Sequence, residues 1–116
     1  MSRKTDVIVV GAGLAGFAAA LAAAREGCSV RMITSGMGSL AISGGTVDVL
    51  GYVDGRRLAS PWEGLRKLPP EHPYSLLGAD NIRAGLHLLS DCAREQGWPM
   101  HALTGPDGQE RNILLP

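Results

Sequence analysis

The 116-residue sequence predicts an α/β fold opening on a strand–helix–strand unit, and three observations carry that prediction. A β-branched tetrad, Val7-Ile8-Val9-Val10, runs directly into the glycine cluster Gly11-Ala12-Gly13-Leu14-Ala15-Gly16. An alanine-rich stretch follows to Glu26, with Gly27 placed to close a helix as a left-handed cap. Ser29–Thr34 then returns to strand-forming residues, so a whole βαβ unit fits into about thirty residues.

Each element has its own reason. Val7–Val10 is short, β-branched and apolar on both faces, the pattern of a fully buried parallel strand. The helix expected over Leu14–Glu26 is apolar nearly all round and calls for cover on more than one side. The same run, Val7 to Ala24, carries no charge and follows Arg3 and Lys4, so hydropathy alone would also fit a signal peptide or a membrane span. Asp6 abuts the run, and its division into tetrad, glycine cluster and alanine stretch suits a strand, a turn and a helix. A soluble cytoplasmic chain is the expectation.

Ser35–Gly45 is a loop rich in glycine and serine. Thr46–Val53 alternates as a strand does, Asp54-Gly55 is a hairpin turn signal, and Arg56–Ala59 would be the return strand. Ser60-Pro61-Trp62-Glu63 has the form of a capping box with proline at the first helical position, opening a short helix to Leu68 that Pro69-Pro70 stops. Glu71–Gly78 shows no usable periodicity. Asp80 or Asn81 would cap a long helix with Ile82, Leu86, Leu89 and Ala93 on one face and Gly97 past its end. Met100–Leu103, a turn at Gly105–Gly108 and Gln109–Leu115 read as a last hairpin, with Pro116 ending the chain where the second strand should pair. The organisation expected is residues 1–45 as a nucleotide-binding βαβ unit with its loop, and residues 46–116 as a small α+β region of the same, truncated domain.

Composition narrows the function. Eleven basic and eleven acidic residues cancel and are scattered, so the basic stripe of a nucleic-acid binder is missing and a small-molecule partner is favoured. Cys28 and Cys92 stand far apart, and His72, His87 and His101 have no metal-ligand spacing, so no metal site is expected. The 45% apolar content excludes wholesale disorder.

The chemistry lies in Gly11–Gly16. A GxGxxG between a strand and a helix meets the context of a Rossmann-like dinucleotide site. Gly11 would permit the tight turn, Gly13 the approach of a pyrophosphate to the backbone, and Gly16 the close packing of helix on strand. Backbone N–H groups around Ala12, Leu14 and Ala15 and the positive end of the helix dipole would hold the anion. The alternative is a purely structural turn. One element is missing: such sites carry an acid roughly 20 residues on, where it binds a ribose hydroxyl. Here Thr34 and Ser35 stand instead, and no acid occurs between Glu26 and Asp48, which weakens NAD and intact FAD alike.

Three segments in order resemble one family. Gly-Ala-Gly-Leu-Ala-Gly at Gly11–Gly16, Ser-Gly-Gly-Thr-Val-Asp-Val-Leu at Ser43–Leu50 and His-Pro-Tyr-Ser-Leu-Leu-Gly at His72–Gly78 are similar to the B subunit of anaerobic glycerol-3-phosphate dehydrogenases, over its N-terminal quarter or so. The resemblance implies a flavoprotein related to the flavin subunits of fumarate reductase and succinate dehydrogenase, here as an incomplete fold inactive by itself. It implies FMN, with FAD as the alternative. It also implies two partners: an FAD-bearing A subunit, forming the catalytic heterodimer, and an iron–sulfur C subunit that docks the assembly to the cytoplasmic face of the inner membrane. The implied reaction oxidises glycerol 3-phosphate to dihydroxyacetone phosphate and passes electrons to quinone, with fumarate or nitrate as terminal acceptor. By the same resemblance Gly11, Gly13 and Gly16 touch the flavin's phosphate, Ser43, Gly44 and Gly45 run along the flavin, and Thr34, Ser35 and Gly36 line the second strand's end. Loops favour glycine and serine anyway, so a plain connecting loop is the competing account of Ser43–Gly45.

No catalytic acid or base is identified. His72 and Tyr74 invite that role, but a packed proline-containing turn explains them more simply. Arg56-Arg57 and Arg66-Lys67 would meet a phosphate or an acidic partner, or form a solvated face. Two other functions stay open: a different flavin oxidoreductase of the same superfamily, and a non-catalytic assembly module.

Overall fold

The computed structural model describes residues 4–104 and 110–115. The chain divides into two compact units, residues 1–44 and residues 45–116.

The first unit holds β1 (Val7–Val10), α1 (Leu14–Arg25) and β2 (Val30–Ile33). β1 and β2 pair in parallel, with Val7 opposite Val30 and Val10 opposite Ile33. Parallel neighbours need a crossover, and α1 supplies it while packing on both strands. The start of the pair is clasped by Asp6, whose carboxylate accepts from the Ser29 N–H at 2.9 Å while its own N–H donates to the Ser29 carbonyl at 2.9 Å. Asp6 therefore has a structural task at the point where it interrupts the apolar run. Gly27, at φ +83, follows the end of α1 and turns the chain towards β2.

The uncharged run Val7–Ala24 is thus shared among a strand, a turn and a helix. No helix among the described residues is long and apolar enough to cross a membrane.

Burial departs from expectation. Val9 is buried, but Ile8 and Val10 are 59% and 81% exposed, so β1 is covered on one face only. α1 has no buried residue, and Leu14 and Phe17 are exposed. A two-stranded sheet with a single helix on it has one shared face, and the outer sheet face and the far side of the helix lie outside that contact.

The second unit begins with β3 (Val47–Asp48), β4 (Tyr52–Val53) and β5 (Arg56–Arg57). The single strand expected over Thr46–Val53 is therefore two short ones, because β3 pairs antiparallel with a distant strand while β4 folds back on β5. The hairpin turn falls where predicted: Asp54 and Gly55 sit at φ +51 and +73, both left-handed as a tight two-residue turn demands. α2 (Pro61–Gly64) follows, continued by a 3-10 turn at Leu65–Lys67. Ser60 is its N-cap residue, yet its side chain makes no capping bond, so the expected capping box is not formed.

α3 (Pro73–Leu77) occupies the stretch in which no period was visible, because five residues are too few to show one. α4 (Ala79–Glu95) is the long amphipathic helix expected. Its cap is Gly78 at φ +77 rather than Asp80 or Asn81, and Asn81 instead donates its side-chain amide to the Leu77 carbonyl at 2.7 Å. Of its predicted apolar face, Ile82 is buried and Leu86, Leu89 and Ala93 are half-buried. Gly97, at φ +79, lies beyond its end. β6 (His101–Thr104) and β7 (Glu110–Leu115) pair antiparallel, and the turn expected at Gly105–Gly108 lies outside the described residues. β7 is the central strand of the order β3-β7-β6, so it is paired on both sides rather than left at an open edge.

Gly85 lies inside α4, where a Cβ would meet nothing within 4 Å. Gly85→Ala is expected to stabilise the protein by about 0.5–1 kcal/mol, since glycine within a helix costs about that much against alanine. Urea unfolding checks this. An unchanged or lower midpoint would mean that the position is not an open helix interior.

Candidate functional site

The glycine turn after β1 is held from two sides. Gly11 sits at φ +108, a conformation that costs an L side chain about 1–3 kcal/mol, and its N–H donates to the Ile33 carbonyl at 2.8 Å. That bond fastens the turn to the end of β2. From the other side comes α1. A Cβ on Gly16 would overlap the Gly11 carbonyl oxygen and lie 3.5 Å from Val9 Cγ1, so only glycine allows this approach of helix and strand.

Gly13 is different. It is the N-cap residue of α1 at φ −83 and ψ 178, extended backbone that any residue adopts. A Cβ there would meet nothing within 4 Å. Neither strain nor packing explains a glycine at this position. No side chain caps α1 and no acidic residue stands in its first turn, so its positive end meets no anion of its own. Ala12 completes the turn, and Leu14 and Ala15 open the helix.

At the end of β2 the Thr34 hydroxyl donates to the Gly36 carbonyl at 2.5 Å and accepts from the Gly36 N–H at 3.2 Å. The hydroxyl that stands in the usual acid's place is thus spent on its own loop, with its proton already donated. Ser35 and Gly36 are exposed. The chain then comes back to the glycine turn at Gly38. A Cβ on Gly38 would overlap the Ala12 carbonyl oxygen, and would lie 2.6 Å from its carbon and 2.8 Å from the Gly13 nitrogen. Sequence reasoning passed over Gly38, since one glycine in a Gly/Ser loop has no distinguishing mark.

Ser43 and Gly44 follow a 3-10 turn at Ser39–Ile42 and are exposed, with the Ser43 hydroxyl donating back to the Leu40 carbonyl at 3.2 Å. Gly45, at φ +79, begins the second unit. The structure therefore brings Gly11–Gly16 together with the loop from β2 through Gly38, while Ser43 and Gly44 turn back on their own segment.

In the second unit His72 caps α3, its Nδ1 accepting from the Tyr74 N–H at 3.1 Å, with the two rings edge-on at 5.4 Å. This is a capped, proline-containing turn in which His72 has a structural task. Arg83 lies 4.2 Å over the Trp62 ring and pairs with Asp80 at 3.4 Å. Arg83 and Trp62 line a cleft of about 500 Å³ together with Arg66, Tyr74 and Ser75, and none of the expected cofactor residues lines it. Arg56 and Arg57 are exposed. Cys28 and Cys92 are free thiols, and among the described residues no three His, Cys, Asp or Glu side chains gather as a metal site would require.

The chain is 38% identical over 100 residues to a Vibrio vulnificus protein named as the B subunit of anaerobic glycerol-3-phosphate dehydrogenase, covering 83% of this chain and 23% of that protein. It is 39% identical over 115 residues to the Vibrio cholerae protein of the same name, covering 96% and 26%. A Halobacterium salinarum protein, named as a probable B subunit of the same enzyme, is 40% identical over 86 residues, covering 72% and 20%. The chain thus spans about a quarter of the length of the relatives it matches. No solved structure matches it. Residues 6–113, from the Asp6 clasp through most of β7, match the family model described as an FAD binding domain, and the chain belongs to that family.

Proposed function

We propose that this chain forms part of the flavin-holding domain of an oxidoreductase subunit that acts on glycerol 3-phosphate. The observation that carries the reading is Gly13: a glycine that neither backbone strain nor protein packing requires, at the uncapped positive end of α1. A pyrophosphate in close approach to that backbone supplies the missing reason. Membership of the FAD binding domain family supports a flavin dinucleotide as the source of that anion.

FAD is the cofactor proposed, because the family's description names it. FMN, expected from the resemblance, has no such support and is the alternative that identification of the bound flavin decides. When bound, the flavin would accept a hydride from the carbinol carbon of the substrate as the hydroxyl proton passes to solvent, and so yield dihydroxyacetone phosphate. The chain's own residues bind and orient. Gly11, Ala12 and Gly13 present backbone to the phosphates, and Leu14, Ala15 and Gly16 aim the helix at them. Thr34, Ser35 and Gly36 shape the loop beyond β2, where recognition of a ribose would lack a carboxylate. Ser43, Gly44 and Gly45 belong to the proposal only through the family's pattern, as does a Rossmann-like arrangement of one domain spanning both units. The name shared by the relatives supports membership of a larger assembly. An FAD-bearing partner, an iron–sulfur partner that anchors the assembly, quinone as acceptor and attachment at the cytoplasmic face complete the proposal.

The test is to incubate the purified chain with FAD and, separately, with FMN, remove free flavin, and identify what remains by mass spectrometry. Retained FAD is the expected result. Retained FMN alone would change the cofactor, and a colourless chain in both cases would overturn the reading.

A further inference from the structure

We infer that Gly38 is a positioning residue for the cofactor turn: its backbone braces Ala12-Gly13 so that the Gly13 N–H is held where a phosphate would meet it. The inference rests on the flavin reading above, but its geometric half stands by itself. Three contacts determine the turn. Gly11 is tied to Ile33 by its N–H, Gly16 closes on the Gly11 carbonyl, and Gly38 closes on the Ala12 carbonyl and the Gly13 nitrogen.

The first two act at Gly11. Among the described glycines, Gly38 is the one whose added Cβ would strike the Ala12–Gly13 peptide, the unit whose N–H would face the proposed anion. The atoms that an added Cβ would strike are backbone on both sides, so no side chain can swing away to make room. Gly38 has φ −71 and ψ 179, ordinary extended backbone, so its glycine is required by proximity and not by conformation. Thr34 supports the brace. By locking Gly36 through both its N–H and its carbonyl, it sets the path by which the chain returns to the turn. The missing ribose-binding acid then has a structural counterpart: the residue in its place organises the loop that braces the phosphate turn.

Gly85 supplies the control: it lies in α4, outside the glycine turn and its loop, and a Cβ there would meet nothing within 4 Å. Nuclear magnetic resonance of the ligand-free chain should show a cross-peak between a Gly38 Hα and the Gly13 amide proton. Gly38→Ala should move the Ala12 and Gly13 amide resonances and weaken FAD binding, read by fluorescence titration, by about tenfold or more, since a backbone displacement of this size at a binding group has at least that effect. Gly85→Ala should leave those resonances in place and FAD affinity within about twofold of the parent's, as expected of a surface change without a contact. Absence of the cross-peak in the parent chain overturns the brace even if Gly38→Ala fails to fold. FAD binding by Gly38→Ala at the parent's affinity overturns its role towards the cofactor. A parent chain that shows the cross-peak but binds no flavin overturns the flavin reading itself and the cofactor role with it, which separates that failure from the other two.

Discussion

Gly13→Ala is expected to weaken FAD binding about 10- to 100-fold while changing the stability of the ligand-free protein by no more than about 1 kcal/mol. The two halves have separate physical origins. A methyl group at position 13 projects into space that holds no protein atom, so it stands where the phosphate would approach. Losing one hydrogen bond to a charged group costs about 1.5–3 kcal/mol, which corresponds to that range of affinity. Folding changes little. Gly13 already has φ −83 and ψ 178, so alanine gains about 0.4–1 kcal/mol through the unfolded chain, while the N-cap position favours glycine over alanine by a similar amount. Paired fluorescence titration and urea unfolding would show a large loss of affinity beside a stability change within about 1 kcal/mol. Unchanged affinity in this variant would mean that no ligand comes near Gly13, and the proposed function would lose its main support.

The second large effect is on folding. Gly16→Ala should destabilise the protein by about 2–3 kcal/mol, the upper part of the range for overpacking. Intrinsic preference points the other way, because alanine is favoured over glycine within a helix by about 1 kcal/mol. The contact decides the sign. The added carbon would overlap the Gly11 carbonyl oxygen, and that carbonyl belongs to a residue held at φ +108 and bonded to Ile33. Neither partner yields without opening the helix from the strand. Urea unfolding of this variant beside Gly85→Ala makes the comparison internal: one exchange, within two helices of one chain, with opposite outcomes. Stability equal to the parent's would show that α1 does not close on the turn as described.

Gly11, Gly13 and Gly16 thus share a motif and differ in cause. Gly11 is required by backbone conformation, Gly16 by close approach, and Gly13 by neither. Sequence reasoning assigned the three roles from the motif's spacing alone, and the geometry agrees with the first and the third in detail. It could not find Gly38, which meets Ala12 and Gly13 from 26 and 25 positions along the chain. Pattern in sequence reports periodicity and local turn chemistry. A contact between two loops leaves neither.

The same division runs through the fold. β1, α1, β2, the Asp54-Gly55 turn and α4 were legible because each is specified by neighbouring residues: β-branched runs, an alanine-rich helix, left-handed positions, an apolar stripe. The elements misread were those whose partners lie elsewhere. Thr46–Val53 reads as one strand, yet β3 is claimed by β7 and β4 by β5. Ser60 has the form of a cap but makes no capping bond, whereas His72, which looked like a candidate for chemistry, caps α3.

The amino-acid sequence by itself determined that a parallel strand pair is crossed by α1, and that the turn between strand and helix carries glycine at positions 11, 13 and 16. It also determined that no acid stands at the end of β2, none occurring between Glu26 and Asp48. Only the tertiary structure decided what Thr34 does in that acid's place, which glycine braces the turn, and that β7 is a central strand. Local structure follows from the conformational preferences of adjacent residues, which are written in order along the chain. Close approach between distant backbones depends on where whole elements come to rest, and a glycine records it only as the absence of a side chain.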